Sequence, residues 1–180
     1  MIKIVDSGKM SAIDKSASDD FGIPGIILME NAGIKSYQRY CSIESELTGG
    51  PGELVFVAGK GNNGGDALVM ARQAHLDGRR VSVVMFSDTA GELTGKHGTI
   101  LKHLQVPLYS WNRDREQCRQ AFRRSSVIFD GLFGTGLKGK LREDAEEIVR
   151  AMNGAAPIVA IDVPSGTGDE FLPDYPSIHA

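Results

Sequence analysis

Apolar and polar positions along this chain follow two rhythms. Near the start, Met10, Ile13 and Ala17 recur at helical spacing among acids and lysines, which predicts a helix over residues 7–20. Gly22-Ile23-Pro24 ends it, because Pro24 fixes its own φ and biases Ile23 away from the helical region. A second helical pattern runs over about 26–40. Past a turn-rich stretch at 48–52, short apolar runs take over at 54–58, 81–86, 106–109, 127–130 and 157–162. Helical patterns lie between them at 67–77, 93–104, from Asn112 as N-cap through about Arg124, and at 143–152. Buried strands alternating with helices predict a parallel sheet covered on both faces. The expected architecture is a doubly wound α/β sandwich preceded by two helices.

Bulk properties narrow the function classes. A length of 180 residues, with 41% hydrophobic and 24% charged positions, fits one soluble globular domain over 1–180. The net charge of -3 gives no basic stripe for nucleic acid. Cys41 and Cys118 lack metal-type spacing and read as free thiols in a reducing, cytoplasmic compartment. Neither a secretory leader nor an apolar stretch of membrane-spanning length is visible. His75, His97, His103 and His179 do not reach metal-ligand spacing and read as surface or helix-face residues. Trp111, without a basic surround in the sequence, reads as a packing residue.

Candidate chemistry gathers first at Ala58-Gly59-Lys60-Gly61-Asn62-Asn63-Gly64-Gly65-Asp66, between the apolar run at 54–58 and the helical pattern from 67. Glycines there permit positive φ and close approach of a ligand. A helix start offers unpaired amides and the positive end of its dipole to an anion. The two asparagines and the aspartate add groups for sugar hydroxyls or a cation. The string matches the dinucleotide fingerprint G-x-G-x-x-G only nominally. A dehydrogenase would also need an acid closing the next strand, where Phe86-Ser87-Asp88 offers a displaced one.

Two more strand ends carry an acid followed by glycine or proline: Asp130-Gly131-Leu132-Phe133-Gly134-Thr135-Gly136-Leu137 and Asp162-Val163-Pro164-Ser165-Gly166. Ligands of open parallel sheets bind beyond the carboxyl ends of the strands, so three such ends point to one site.

In order and spacing, these segments, together with Gly22-Ile23-Pro24 and Leu28-Met29-Glu30-Asn31-Ala32-Gly33, resemble the NAD(P)H-hydrate epimerases, the family built on the YjeF N-terminal domain. The resemblance spans about residues 8–166. It implies a Rossmann-like three-layer αβα sandwich with a mainly parallel sheet and two N-terminal helices, often as a homodimer. It also implies an isomerase that interconverts the R and S forms of NADH or NADPH hydrated at C6 (NADHX, NADPHX), so that a separate dehydratase can restore the cofactor. Site roles follow from the same resemblance. Asn62, Asn63, Gly64, Gly65 and Asp66 would bind the hydrated dinucleotide from one side, and Gly134, Thr135, Gly136, Leu137, Lys138, Gly139 and Lys140 from the other. Asn63, Asp130 and Ser165 would hold one potassium ion per subunit, and amide, carboxylate and hydroxyl oxygens suit a hard cation. Asp162 would face the ligand as substrate-binding and catalytic acid–base residue.

Two departures from the family pattern stand out. Ala67 replaces a usual glycine, and the tail from Thr167 to Ala180 has two prolines and no strand pattern, as expected of a chain shortened at its C-terminus. The alternative reading is a non-catalytic, dimerising ligand-binding module of the same fold, as in scaffolds of messenger-RNA decapping. Retention of Asn63, Asp130, Asp162 and Ser165 together favours the enzyme.

Overall fold

Two helices, α1 (Ser7–Asp19) and α2 (Gly25–Leu47), precede the alternating part of the chain. There β1 (Glu53–Ala58), α3 (Asn62–Leu76), β2 (Val81–Met85), α4 (Glu92–His103), β3 (Leu108–Ser110), α5 (Arg115–Arg124), β4 (Ser125–Gly131), α6 (Glu143–Asn153) and β5 (Ile158–Ala160) follow in order. The computed structural model describes residues 7–48, 52–137, 139–167 and 176–180. The strands form one sheet in the order β3-β2-β1-β4-β5, with every neighbouring pair parallel. From β1 the chain winds outward through β2 to β3, then crosses back to β4. The order therefore reverses between β1 and β4, the switch point at which such sheets open a crevice.

Alternation of side chains along β1 explains its unbroken apolar run. Leu54, Phe56 and Ala58 enter one core with Tyr37 and Tyr40 of α2, Leu68 of α3 and Leu101 of α4. Val55 and Val57 enter the other with Trp111, Phe122 of α5, and Ile148 and Met152 of α6. With both faces covered, every position of the strand after Glu53 is apolar. Phe56 stacks on Phe129 at 4.3 Å between ring centroids, and Tyr40 meets Phe129 edge-on at 4.8 Å. Gly33 lets α2 and α3 cross closely, since a Cβ there would lie 2.5 Å from Cβ of Val69.

Several elements depart from the sequence pattern. α3 begins at Asn62 rather than at 67, because the polar and glycine residues of its first turn carry no apolar rhythm. α2 continues to Leu47, past the expected end near 40. Asn112 is not an N-cap: α5 starts at Arg115 behind Asp114, whose carboxylate accepts from the Ser110 amide at 2.8 Å. β5 stops at Ala160, leaving Asp162 in the turn beyond it. Trp111 is fully buried, as expected of a packing residue, yet it does have basic neighbours. The guanidinium groups of Arg115 and Arg119 lie 5.0 and 5.6 Å from its ring centroid. Cys41 and Cys118 are free thiols. Among the described residues, no helix is long and apolar enough to cross a membrane.

Candidate active site

The glycines at the entry to α3 answer to the protein rather than to positive φ, which none of Gly59, Gly61, Gly64 and Gly65 adopts. A Cβ on Gly64 would lie 2.0 Å from the Gly59 carbonyl oxygen, and one on Gly59 would lie 1.9 Å from the Leu132 oxygen. A Cβ on Gly65 would meet Met29 Sδ at 2.4 Å and Thr94 Oγ1 at 3.1 Å. These three glycines let the helix start sit against β4, α2 and α4. Gly61 differs, being exposed with open space where a side chain would stand. Ala67 is buried, and its methyl occupies room that Gly131 leaves, since a Cβ on Gly131 would be 2.6 Å away. The departure at Ala67 is thus absorbed by packing.

A buried polar knot lies beside that helix start. Asp130 ends β4 fully buried, its Oδ1 accepting from the Leu132 amide at 3.1 Å and from the Ser165 hydroxyl at 2.7 Å. Its Oδ2 accepts from the Ser165 amide at 2.8 Å. Burial pushes the Asp130 carboxyl up, against the opposing pull of these hydrogen bonds. Asn63 donates through Nδ2 to the Phe133 carbonyl at 2.7 Å, and the Phe133 amide donates to Ser165 Oγ at 2.9 Å. The amide oxygen of Asn63 is then fixed in orientation, buried, and without a hydrogen-bond partner. An orphaned buried oxygen needs a counterpart. A cation would satisfy it, and an amide oxygen with the carboxylate of Asp130 and the hydroxyl of Ser165 is a donor set whose chemistry fits potassium.

The segment following β4 and the turn following β5 meet at Asp162. Its Oδ2 accepts from the Thr135 amide at 2.9 Å, and a Cβ on Gly134 would lie 2.5 Å from it and 3.4 Å from Cβ of Asn63. Gly134 therefore has no side chain because Asp162 and α3 close on it. Asp162 is exposed at the rim, as are Asn62, Thr135, Gly136, Gly139 and Lys140. Leu137 is half-buried, and Lys138 lies outside the described residues. The structure thus brings Asn62, Asn63, Asp66, Gly134, Thr135, Asp130, Asp162 and Ser165 to one crevice at the switch point.

Asp66 has a property that spacing alone did not signal. It stands half-buried on the second turn of α3, and burial, with the charges of Asp162 and then Asp14 of α1, pushes its carboxyl up to about 7. A carboxyl that favours its proton therefore stands beside the charge of Asp162. Beneath it, His97 of α4 is buried rather than at the surface, 3.6 Å from Glu30 of α2, which also pairs with Arg72 of α3. Burial holds the His97 imidazole below its ordinary value, against the attraction of Glu30. The second-strand acid of a dehydrogenase is otherwise engaged. Asp88 accepts from the Ser110 hydroxyl at 2.9 Å and pairs with Arg113 at 3.0 Å.

Comparison with known proteins agrees with this geometry. The family model for the YjeF-related protein N-terminus matches residues 25–174. The bifunctional NAD(P)H-hydrate repair enzyme Nnr of Salinibacter ruber is 36% identical over 91% of this chain and 32% of its own length. The NAD(P)H-hydrate epimerase of Rhodopirellula baltica is 34% identical over 88% of this chain and 63% of its own. That of Limosilactobacillus fermentum is 33% identical over 90% and 74%. The chain thus spans about a third of the bifunctional relative and somewhat under two thirds of the first single-function one. The crystal structure of yeast YNL200c superposes with a TM-score of 0.84 at 29% identity, covering 98% of this chain and 77% of that one. A family match across most of the sequence, together with the shared fold, makes this chain a member of the YjeF-related N-terminal domain family.

Proposed function

We propose that the chain epimerises the R and S hydrates of NADH and NADPH, as the names of its relatives suggest. The observation that carries this reading is the meeting of three segments at the β1/β4 switch point. They are the first turns of α3 with Asn62, Asn63 and Asp66, the stretch after β4 with Gly134 and Thr135, and Asp162. The helix start suits the dinucleotide phosphates. Asn63, Asp130 and Ser165 are the residues that would hold potassium, whose charge would favour an anionic ligand nearby. The alternative, a decapping-type scaffold module, has no use for a carboxyl held protonated at Asp66 together with residues that would hold an ion.

The chemistry fits a protonated Asp66 and a rim carboxyl at Asp162. In the hydrate, the C6 hydroxyl and ring nitrogen N1 share one carbon, so protonating the hydroxyl lets the nitrogen lone pair expel water. A planar iminium remains, with no memory of configuration, and water adding to the other face completes epimerisation. Asp66, whose carboxyl is pushed up to about 7, holds the proton for the leaving hydroxyl. Asp162 as carboxylate stabilises the cation and accepts a proton from the returning water. One proton leaves Asp66 and one arrives at Asp162, so no proton is consumed, and its return to Asp66 by way of solvent resets the site.

Assembly and context belong to the same proposal. Met10 and Ile13 of α1, Phe21 and Ile23 of the turn after it, and Ile27 of α2 are exposed apolar side chains, and Phe21 is 78% exposed. Ile13 and Phe21 line a groove of about 540 Å³ with Lys9, Ala12, Ser16 and Ala17. A second copy of the chain covers these side chains in a homodimer. The functional partner is a dehydratase for one epimer, an activity in keeping with the bifunctional relatives, and the free thiols suit the cytoplasm.

The test is Asp162→Asn, followed by exchange between R and S hydrates with the spontaneous rate subtracted. Hydrate affinity should stay within about tenfold, about 1.4 kcal/mol. The catalysed rate should fall at least about a hundredfold, the scale of one general acid–base. A parent protein no faster than the spontaneous reaction, with potassium present, would overturn the assignment.

A further inference from the structure

The carbonyls of the loop that enters α3 are turned onto the protein. The Phe86 amide donates to the Ala58 oxygen and the Gly91 amide to the Lys60 oxygen, each at 2.9 Å. The Gly61 oxygen accepts twice, from the Gly65 amide at 3.1 Å within α3 and from Thr94 Oγ1 at 2.9 Å across from α4. Thr94 is 1% exposed and touches the spot where a Gly65 side chain would begin. Its hydroxyl is used differently from that of Thr99 on the same helix. Thr99 bonds back to the Gly95 oxygen one turn earlier, the ordinary fate of a helical threonine. Thr94 instead leaves its own helix to reach a peptide of the site.

The consequence concerns which end of each peptide faces the crevice. A carbonyl aimed at an anion repels it, whereas the first amides of a helix have no partner inside the helix and attract it. Holding the Lys60 and Gly61 oxygens on α4 leaves the amides of 62–64 for the ligand. No side chain caps α3. The unpartnered, buried Oδ1 of Asn63 lies on the same turn, and the cation it suits would add to the attraction for an anion there.

We propose that Thr94 is a positioning residue for the bound dinucleotide, its hydroxyl fixing the Gly61 peptide so that the amides of residues 62–64 are held toward the anionic part of the ligand. The identity of the ligand rests on the epimerase reading, while the hold on the loop does not. Thr94→Val keeps the shape and removes the donor, and Thr94→Ser keeps the donor. Three quantities are measured on both: the affinity for NADPH hydrates by calorimetry, the rate of R–S exchange at saturation, and hydrogen exchange in the free protein of the Gly65 amide, which donates to the same Gly61 oxygen. In the valine variant, affinity should weaken at least about fivefold and amide exchange should quicken by about tenfold, the scale of one hydrogen bond. The saturated rate should stay within about twofold, and serine should restore affinity and protection. Unchanged amide exchange in the valine variant overturns the hold on the loop. Faster exchange with unchanged affinity reduces Thr94 to a structural contact and overturns its role toward the ligand. A parent that binds hydrates without epimerising them refutes the epimerase reading alone, and the affinities still decide Thr94. A parent that binds no hydrate refutes both.

Discussion

Replacing Asp66 by asparagine should make the protein more stable and less active, with the stability gain confined to one side of the pH scale. The carboxyl is half-buried, faces the charges of Asp162 and Asp14, and is pushed from 3.8 up to about 7. Because the folded value lies above the unfolded one, the folded state keeps a proton that the unfolded chain releases. The stability contributed by that proton is complete below pH 3.8 and is lost as pH climbs through about 7. At 1.36 kcal/mol per pH unit, the loss is about 1.6 kcal/mol at pH 5 and reaches about 4 kcal/mol above pH 7.5, an upper limit because water and side chains relax around the charge. Asparagine carries no such penalty. Urea unfolding at pH 8 should therefore find Asp66→Asn more stable by up to about 4 kcal/mol, with the advantage shrinking by about 2–3 kcal/mol at pH 5. At pH 7 the same variant should epimerise hydrates at least about tenfold more slowly, lacking the proton for the leaving hydroxyl. If parent and variant run parallel in stability from pH 5 to pH 8, Asp66 is ionised like a surface acid and the division of labour between Asp66 and Asp162 is refuted.

Two other perturbations probe the ion and the assembly. Asp130→Ala removes a buried carboxylate from beside Asn63 and Ser165, and should abolish any dependence of hydrate binding on potassium. A parent stimulated by potassium and an equally stimulated variant would rule the site out. Phe21→Glu places a charge among the exposed apolar side chains between α1 and α2, and should leave the chain monomeric in analytical ultracentrifugation with its unfolding transition intact. An undisturbed dimer would move the interface elsewhere.

The strands were legible because burial on both faces writes an uninterrupted apolar run. Leu54, Val55, Phe56 and Val57 are all fully buried, whichever core each enters. The start of α3 was not legible, because its first turn is specified by what it touches rather than by its own periodicity. Gly64 and Gly65 are there because the Gly59 carbonyl and Met29 stand where a side chain would be, contacts that no spacing rule contains. A glycine loop in the sequence was thus a helix packed too closely for side chains.

The site divides along the same line. Acids at strand ends could be listed from the sequence, and Asp130 and Asp162 stand where that rule puts them. Their different work could not be assigned, because it depends on neighbours distant in the chain. Asp130 is tied at both oxygens to Ser165, 35 positions away, and so is locked in a structural or ion-holding role. Asp162 accepts from the Thr135 amide and is exposed at the rim, open to a ligand. Asp66 was read from the sequence as a binding residue without its hold on a proton, and Thr94 was missed, for a related reason. One is a motif acid whose affinity for protons is set by Asp162 and Asp14, and the other is an unremarkable polar residue early in α4 whose value lies in reaching the Gly61 oxygen. Chemistry at a switch point is legible as an inventory of groups. The protonation state and direction of each group come only with the fold that packs α2, α3 and α4 around one loop.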